Sequence, residues 1–245
     1  MHKDAASRAL WWACLVAAPV VLIAIELFHP AGFTEHPGMY EYLSKPEPYN
    51  PAHHALAYFG PPWWFLLHML QTPLVGLVAV GLTLLVRDVG PGSGALANAS
   101  AWLARASAFV FLIYYTALDS IGGAGLGKTI ELTEQMAAHG QLTPDQVQGI
   151  AAVLNATWVD PWVGGVGSFI SQTGSWAVFA ASLFAALALL LAGPAPRWPL
   201  LLLVAFGWEL QVSHTMPHGP IAFGLLLAFA LLLAWRARAA GPAAA

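Results

Sequence analysis

Seven of the nine histidines in this 245-residue chain fall in three stretches: His29, His36, His53 and His54; His68; and His214 with His218. Three acidic residues, Glu26, Asp119 and Glu209, interrupt segments that are otherwise apolar. Ionisable side chains in hydrocarbon are costly, so by default they mark function. Neutral imidazole is the commonest ligand for zinc, copper, iron and nickel. A carboxylate beside it completes the ligand set or fixes the ring tautomer from behind. His214 and His218 have the i,i+4 spacing of helical two-histidine zinc sites, although Pro217 and Gly219 put a turn at that corner. Glu26-x-x-His29 has the spacing found in carboxylate-bridged dimetal bundles, but those need a second copy of the motif and two further glutamates, and the chain has one copy. The candidate ligands are therefore His29, His68, His214 and His218 of a single transition-metal site (Zn, Cu or Fe), with Glu26 and Asp119 as candidate catalytic bases. His36, His53 and His54 lie in a polar loop, where an exposed histidine needs no special explanation.

The elements that must position these groups are membrane helices. Hydrophobic residues make up 58% of the chain and charged residues 9%, against roughly 25% charged in soluble domains. The net charge of −3 and the lack of a basic run exclude a nucleic-acid partner. The lone Cys14 excludes an intrachain disulfide. A helix crosses the hydrocarbon in about 20 residues, and six stretches qualify: 10–28, 63–86, 101–122, 167–191, 198–212 and 221–235. The fifth is short. The first is longer than a signal-peptide apolar run and lacks a small-x-small cleavage site, which reads as a retained span.

The expected fold is an all-α, six-span transmembrane helix bundle forming one polytopic domain over residues 1–245. Lys3, Arg8, Arg87, Arg105, Arg197, Arg236 and Arg238 share one side of such a bundle, which the positive-inside rule makes cytoplasmic, with both termini. The alanine-rich composition suggests a bacterial plasma membrane. Two long extracytoplasmic loops follow, 29–62 and 123–166. The first is rich in proline, and the second holds an amphipathic helix opened by Thr143-Pro144-Asp145 as cap and first turn. Trp63, Trp64, Trp158, Trp162 and Trp176 suit an outer interfacial belt.

Counting at 1.5 Å per residue tests whether the polar groups can meet. Glu26 lies about 4.5 Å deeper than His29, on the same helix face, and His68 lies roughly 8 Å below the outer boundary with Gln71 and Thr72 beside it. Asp119 arrives near the outer edge about 27 Å along the third span. Glu209, His214 and His218 reach the same level, so the polar groups share one layer of the outer leaflet.

One motif is set aside. Gly122 to Thr129 matches the G-x-x-x-x-G-K-[ST] phosphate loop, but it follows a membrane helix rather than a strand and faces away from cytoplasmic nucleotide. It reads as a flexible glycine-rich exit from the third span.

A membrane metalloprotein fits this pattern, with enzymatic action on an amphiphilic or apolar, quinone-like substrate drawn from the membrane lipid as the expectation. A b-type haem protein for electron transfer is the first alternative, with His68 and either His29 or His214 as axial ligands. A transporter or accessory subunit is the second, although transport sites usually lie near the midplane between repeats.

Overall fold

The computed structural model describes residues 4–36, 38–44, 56, 58–193 and 197–239. These residues are overwhelmingly helical, with no strand among them. The long helices are α1 (Ala5–Glu26, with a π turn over Ala13–Ala17), α2 (Pro61–Leu85), α3 (Ala95–Ala138), α4 (Pro144–Trp158), α5 (Phe169–Ala192), α6 (Arg197–Val212) and α7 (His218–Ala239). Short turns at Phe33–Glu35 and Met39–Leu43 follow α1. His53 and His54 lie outside the described residues.

Five helices are long and apolar enough to cross a membrane: α1, α2, α3, α5 and α7. With 16 residues, α6 reaches roughly 24 Å, short of the ~30 Å hydrocarbon core. Apolar residues also face outward on these helices, with Val20, Leu66, Phe109, Leu183 and Ile221 exposed, which is compatible with lipid surroundings.

The most extensive interface joins α3 and α5. Ala97, Ala101, Ala104 and Ala108 on α3 and Ala177, Ala181, Ala185 and Ala188 on α5 are all buried. Small side chains three and four residues apart let two backbones approach closely, which drives helix association where apolar burial cannot. At the end of α2, the Arg105 guanidinium donates to the carbonyls of Val86 (2.6 Å) and Val89 (3.3 Å). It thereby satisfies the orphan acceptors of a helix C-terminus.

At the opposite end, a second cluster of Phe33, Met39, Tyr42, Leu43, Phe59, Trp64, Leu126 and Ile130 caps the bundle. The α4 helix docks here through Asn155, which accepts from the Tyr40 amide and donates to Glu41 Oε2, both at 2.9 Å. Its start is the expected one: Thr143 and Gln146 form a reciprocal capping box with Pro144 at the first position.

The glycine-rich exit from the third span is not a loop. Helix α3 runs on through a π-helical segment, Asp119–Gly125, to Ala138, so residues 123–138 of the expected outer loop are helical. The glycines serve close packing. A Cβ on Gly127 would come within 2.9 Å of the Phe65 amide and 3.1 Å of the Pro61 carbonyl, where α3 crosses the start of α2.

Candidate metal centre

Three imidazoles from three parts of the chain converge beneath the cap. One nitrogen from each of His29, His68 and His214 lies within 4.8 Å of the others. The His29 ring centroid is 5.3 Å from that of His68 and 5.0 Å from that of His214.

His29 follows the end of α1, where Pro30 disfavours helical conformation in the residue before it. The last turn tightens, with the Phe28 amide bonded to Ile25 and the His29 amide to Glu26. His68 sits about two turns inside α2. His214 lies in the link between α6 and α7, where the Thr215 amide donates to Ser213 Oγ at 3.1 Å.

Local hydrogen bonds set two tautomers. His29 Nδ1 lies 2.6 Å from the Pro30 carbonyl and His68 Nδ1 lies 2.7 Å from the Trp64 carbonyl. A carbonyl only accepts, so each Nδ1 carries the proton and each Nε2 carries the lone pair. Metal-ligating histidines have this arrangement, the backbone holding the ring and raising its basicity. Burial and the neighbouring His68 push the His214 imidazole down from 6.5 to about 3, which keeps it neutral. The three groups could therefore hold a metal ion. At zinc–nitrogen distances of 2.0–2.1 Å a tetrahedral ion would set the nitrogens about 3.3 Å apart, so the widest pair would close by up to ~1.5 Å.

Glycine makes room for the rings. A Cβ on Gly123 would overlap the His68 ring, and one on Gly219 would overlap the His214 carbonyl and touch Glu26 Cγ at 3.4 Å. Trp64 is almost fully buried and packs against both His29 (5.1 Å) and His68 (4.6 Å), its Nε1 donating to the Gly122 carbonyl at 3.0 Å. It is therefore a wall of the site rather than part of an interfacial belt, unlike Trp162 and Trp176, which are exposed.

The carboxylates lie close by but outside the imidazole triangle. Glu26 is completely buried, and neither of its oxygens has a hydrogen-bond partner. Asp119 is equally buried. Its Oδ2 accepts from Thr72 Oγ1 at 3.3 Å, whereas Oδ1 has no partner. Tyr115, also buried, accepts from Gln71 Nε2 at 3.4 Å. Buried acceptors without partners are rare and call for an unseen water, proton or ion. A cavity of about 20 Å³ is bordered by His68, Asp119 and His214. That is room for one water-sized guest.

Two of the sequence candidates point elsewhere. His218 opens α7, and its Nδ1 pairs with Glu209 Oε2 at 2.8 Å, both side chains partly exposed. The helical i,i+4 geometry is not realised, because His214 precedes the helix. His36 packs against Tyr42 at 4.4 Å in the cap, away from the three imidazoles. The sequence marked Gly123 and Gly219 only as parts of a flexible exit and a turn, and carried no signal for Tyr115. Only the i,i+4 relation of Trp64 to His68 put that residue on the same face.

The chain matches no family model, no curated protein and no solved structure. Its chemistry has to be argued from the site itself.

Proposed function

We propose that this chain is a polytopic membrane metalloenzyme in which His29, His68 and His214 hold one transition-metal ion and Asp119 serves as the general base for hydrolysis of an amphiphile. The observation that supports this reading is the convergence of three imidazoles, two of which, His68 and His214, border a water-sized cavity together with Asp119, a buried carboxylate with one unpartnered oxygen. A three-histidine set with an open fourth position is the usual arrangement of a catalytic rather than a structural zinc site.

A bound ion would polarise the scissile carbonyl and make a nearby water more acidic. Asp119 takes that water's proton while the water oxygen adds to the carbonyl carbon. The carbon–heteroatom bond then breaks, and Asp119 returns the proton to the departing alcohol or amine. Thr72 orients Asp119 through its bond to Oδ2. Glu26 has no access to the cavity lining and serves as a buried counter-charge, so that two carboxylates balance a divalent ion.

A haem finds less support. The space at the imidazoles is about 20 Å³, and a macrocycle could enter only if the helices separated. For topology we propose that α6 completes a six-span path, with both termini on the cytoplasmic side of a bacterial plasma membrane, on the strength of the lysine and arginine distribution.

The test is metal content by mass spectrometry on purified protein, with an absorption spectrum of the same sample. About one zinc, copper or iron per chain without a Soret band is the expected result. Iron with a Soret band would replace this reading with the haem protein, and no metal after loading would remove it.

A further inference from the structure

We infer that the ligand of this site is a single-chain amphiphile that straddles Trp158, its polar head in one cavity and its apolar chain in another; this rests on the metalloenzyme reading above. Trp158, the last residue of α4, is half-buried and borders three separate spaces. The first is the water-sized cavity at His68, Asp119 and His214. The second is an apolar groove of about 260 Å³ between Ile121, Leu126, Leu154 and Val163. The third is a vestibule of about 400 Å³ that presents Thr34, His36, Asn155, Asp160 and Ser168.

The shared walls define a route. Gly122 separates the groove from the imidazole cavity, and Phe33 and Val166 separate that cavity from the vestibule. Trp158 belongs to all three. A molecule occupying the groove and the vestibule together therefore has its head-to-chain junction at the Trp158 indole, which also lines the cavity that Asp119 borders. That is where a scissile ester or amide would have to lie.

The indole is closely packed where it divides the three spaces. It rests on glycines on both sides: a Cβ at Gly122 would stand 3.3 Å from the ring and one at Gly165 only 2.5 Å. Its remaining neighbours include Phe33 and Trp64, with ring centroids 5.5 and 6.4 Å away. The segment that follows holds Gly164, Gly165 and Gly167, the last with φ +93°. Backbone bonds from the Gly164 amide to the Asp160 carbonyl (3.1 Å) and from the Gly165 amide to the Trp158 carbonyl (2.8 Å) hold this segment against the end of α4 and fix the indole as the partition.

The two larger spaces specify the ligand class. At roughly 30 Å³ per water-sized group, the groove holds about nine methylenes, which is one medium chain and not two. The described lining of the vestibule has no lysine or arginine. It does contain Asp160, whose carboxylate accepts from the amides of Trp162 (2.8 Å) and Val163 (2.9 Å), bonds that hold its pKa below the ordinary value and keep it ionised. The vestibule therefore favours a neutral or cationic head over a free fatty acid.

The test uses the full chain in lipid nanodiscs, with zinc content measured on every sample. The probe is a decyl phosphocholine with a diazirine at the end of its chain, photolysed and mapped by peptide mass spectrometry. Labels should concentrate on residues 121–129 and 154–163. They should fall at least fivefold in Thr129→Phe, which fills the groove from its exposed edge and leaves the imidazoles untouched, and a diazirine decanoate should label the groove less than the phosphocholine does. Labels spread evenly over lipid-facing helices and unchanged in Thr129→Phe, in protein that carries zinc, would overturn this inference alone. Groove labelling in protein that takes up no zinc would support the amphiphile site and remove the metal reading.

Discussion

Replacing Gly123 with alanine should abolish tight metal binding without touching a ligand. An added Cβ at this position overlaps the His68 ring and stands 2.7 Å from His68 Cβ, where ordinary contact needs 3.4–4 Å. In a close-packed interior that deficit forces the imidazole to move by roughly 1 Å, and overpacking of this kind costs about 1–3 kcal/mol. A His68 ring held back by the new methyl cannot make the inward closure that coordination requires, and a zinc site of four ligands is worth about 10–16 kcal/mol, or about 2.5–4 kcal/mol per ligand. Losing His68 from the set therefore weakens zinc binding by about 10²–10³-fold. The assay is competition of purified protein with a chromophoric zinc chelator, accompanied by thermal unfolding. Gly224→Ala is the control: it lies in α7 with nothing within 4 Å of the new methyl, so it should keep zinc affinity and gain up to about 1 kcal/mol of helix propensity. If Gly123→Ala binds zinc within threefold of the parent, the proposed position of His68 in the ligand set is wrong.

The remaining expectations concern the ligands, the base and pH. His29→Ala, His68→Ala and His214→Ala should each lower zinc affinity at least a hundredfold in the same competition assay, whereas His218→Ala, which breaks only the partly exposed pair with Glu209, should change it less than threefold. Asp119→Asn should retain stoichiometric zinc yet lose at least a hundredfold in turnover of a medium-chain phosphocholine ester, in line with the typical contribution of a general base; retention of full turnover would remove Asp119 from the mechanism. Metal-free protein should lose stability in acid. The unfolded chain protonates His214 near 6.5 and the folded chain only near about 3, so the folded state binds fewer protons between those values. The stabilising contribution is thus complete above about pH 6.5 and is lost as pH falls toward 3. Unfolding temperatures of the metal-free protein at pH 7.5 and pH 5 measure this, and equal values would contradict it.

Hydropathy and helical rise made much of this arrangement legible in the sequence. The apolar runs around α1, α2, α3, α5 and α7 announced themselves by length. Counting along them placed His29, His68 and Asp119 in one layer, because a regular helix converts residue number into depth. The sequence was silent where the backbone departs from regularity. The Asp119–Gly125 π-helix read as a flexible exit, since its glycines and small residues carry no periodic signal, although their role is to let α3 approach His68 and the start of α2. His214 and His218 could not be told apart by spacing, because the distinction depends on where α7 begins. Trp64 read as an interfacial anchor because amphipathic belts and buried walls draw on the same residue type. Trp158 differs from these, since its importance lies in the spaces it divides and not in any contact a sequence could reveal.

X-ray absorption at the metal edge of the loaded protein tests the central claim most directly. About three imidazole nitrogens at 2.0–2.1 Å, falling to two in His68→Ala, is the result expected of a site built from His29, His68 and His214. A spectrum with at most one imidazole, or one unchanged by that substitution, would contradict it.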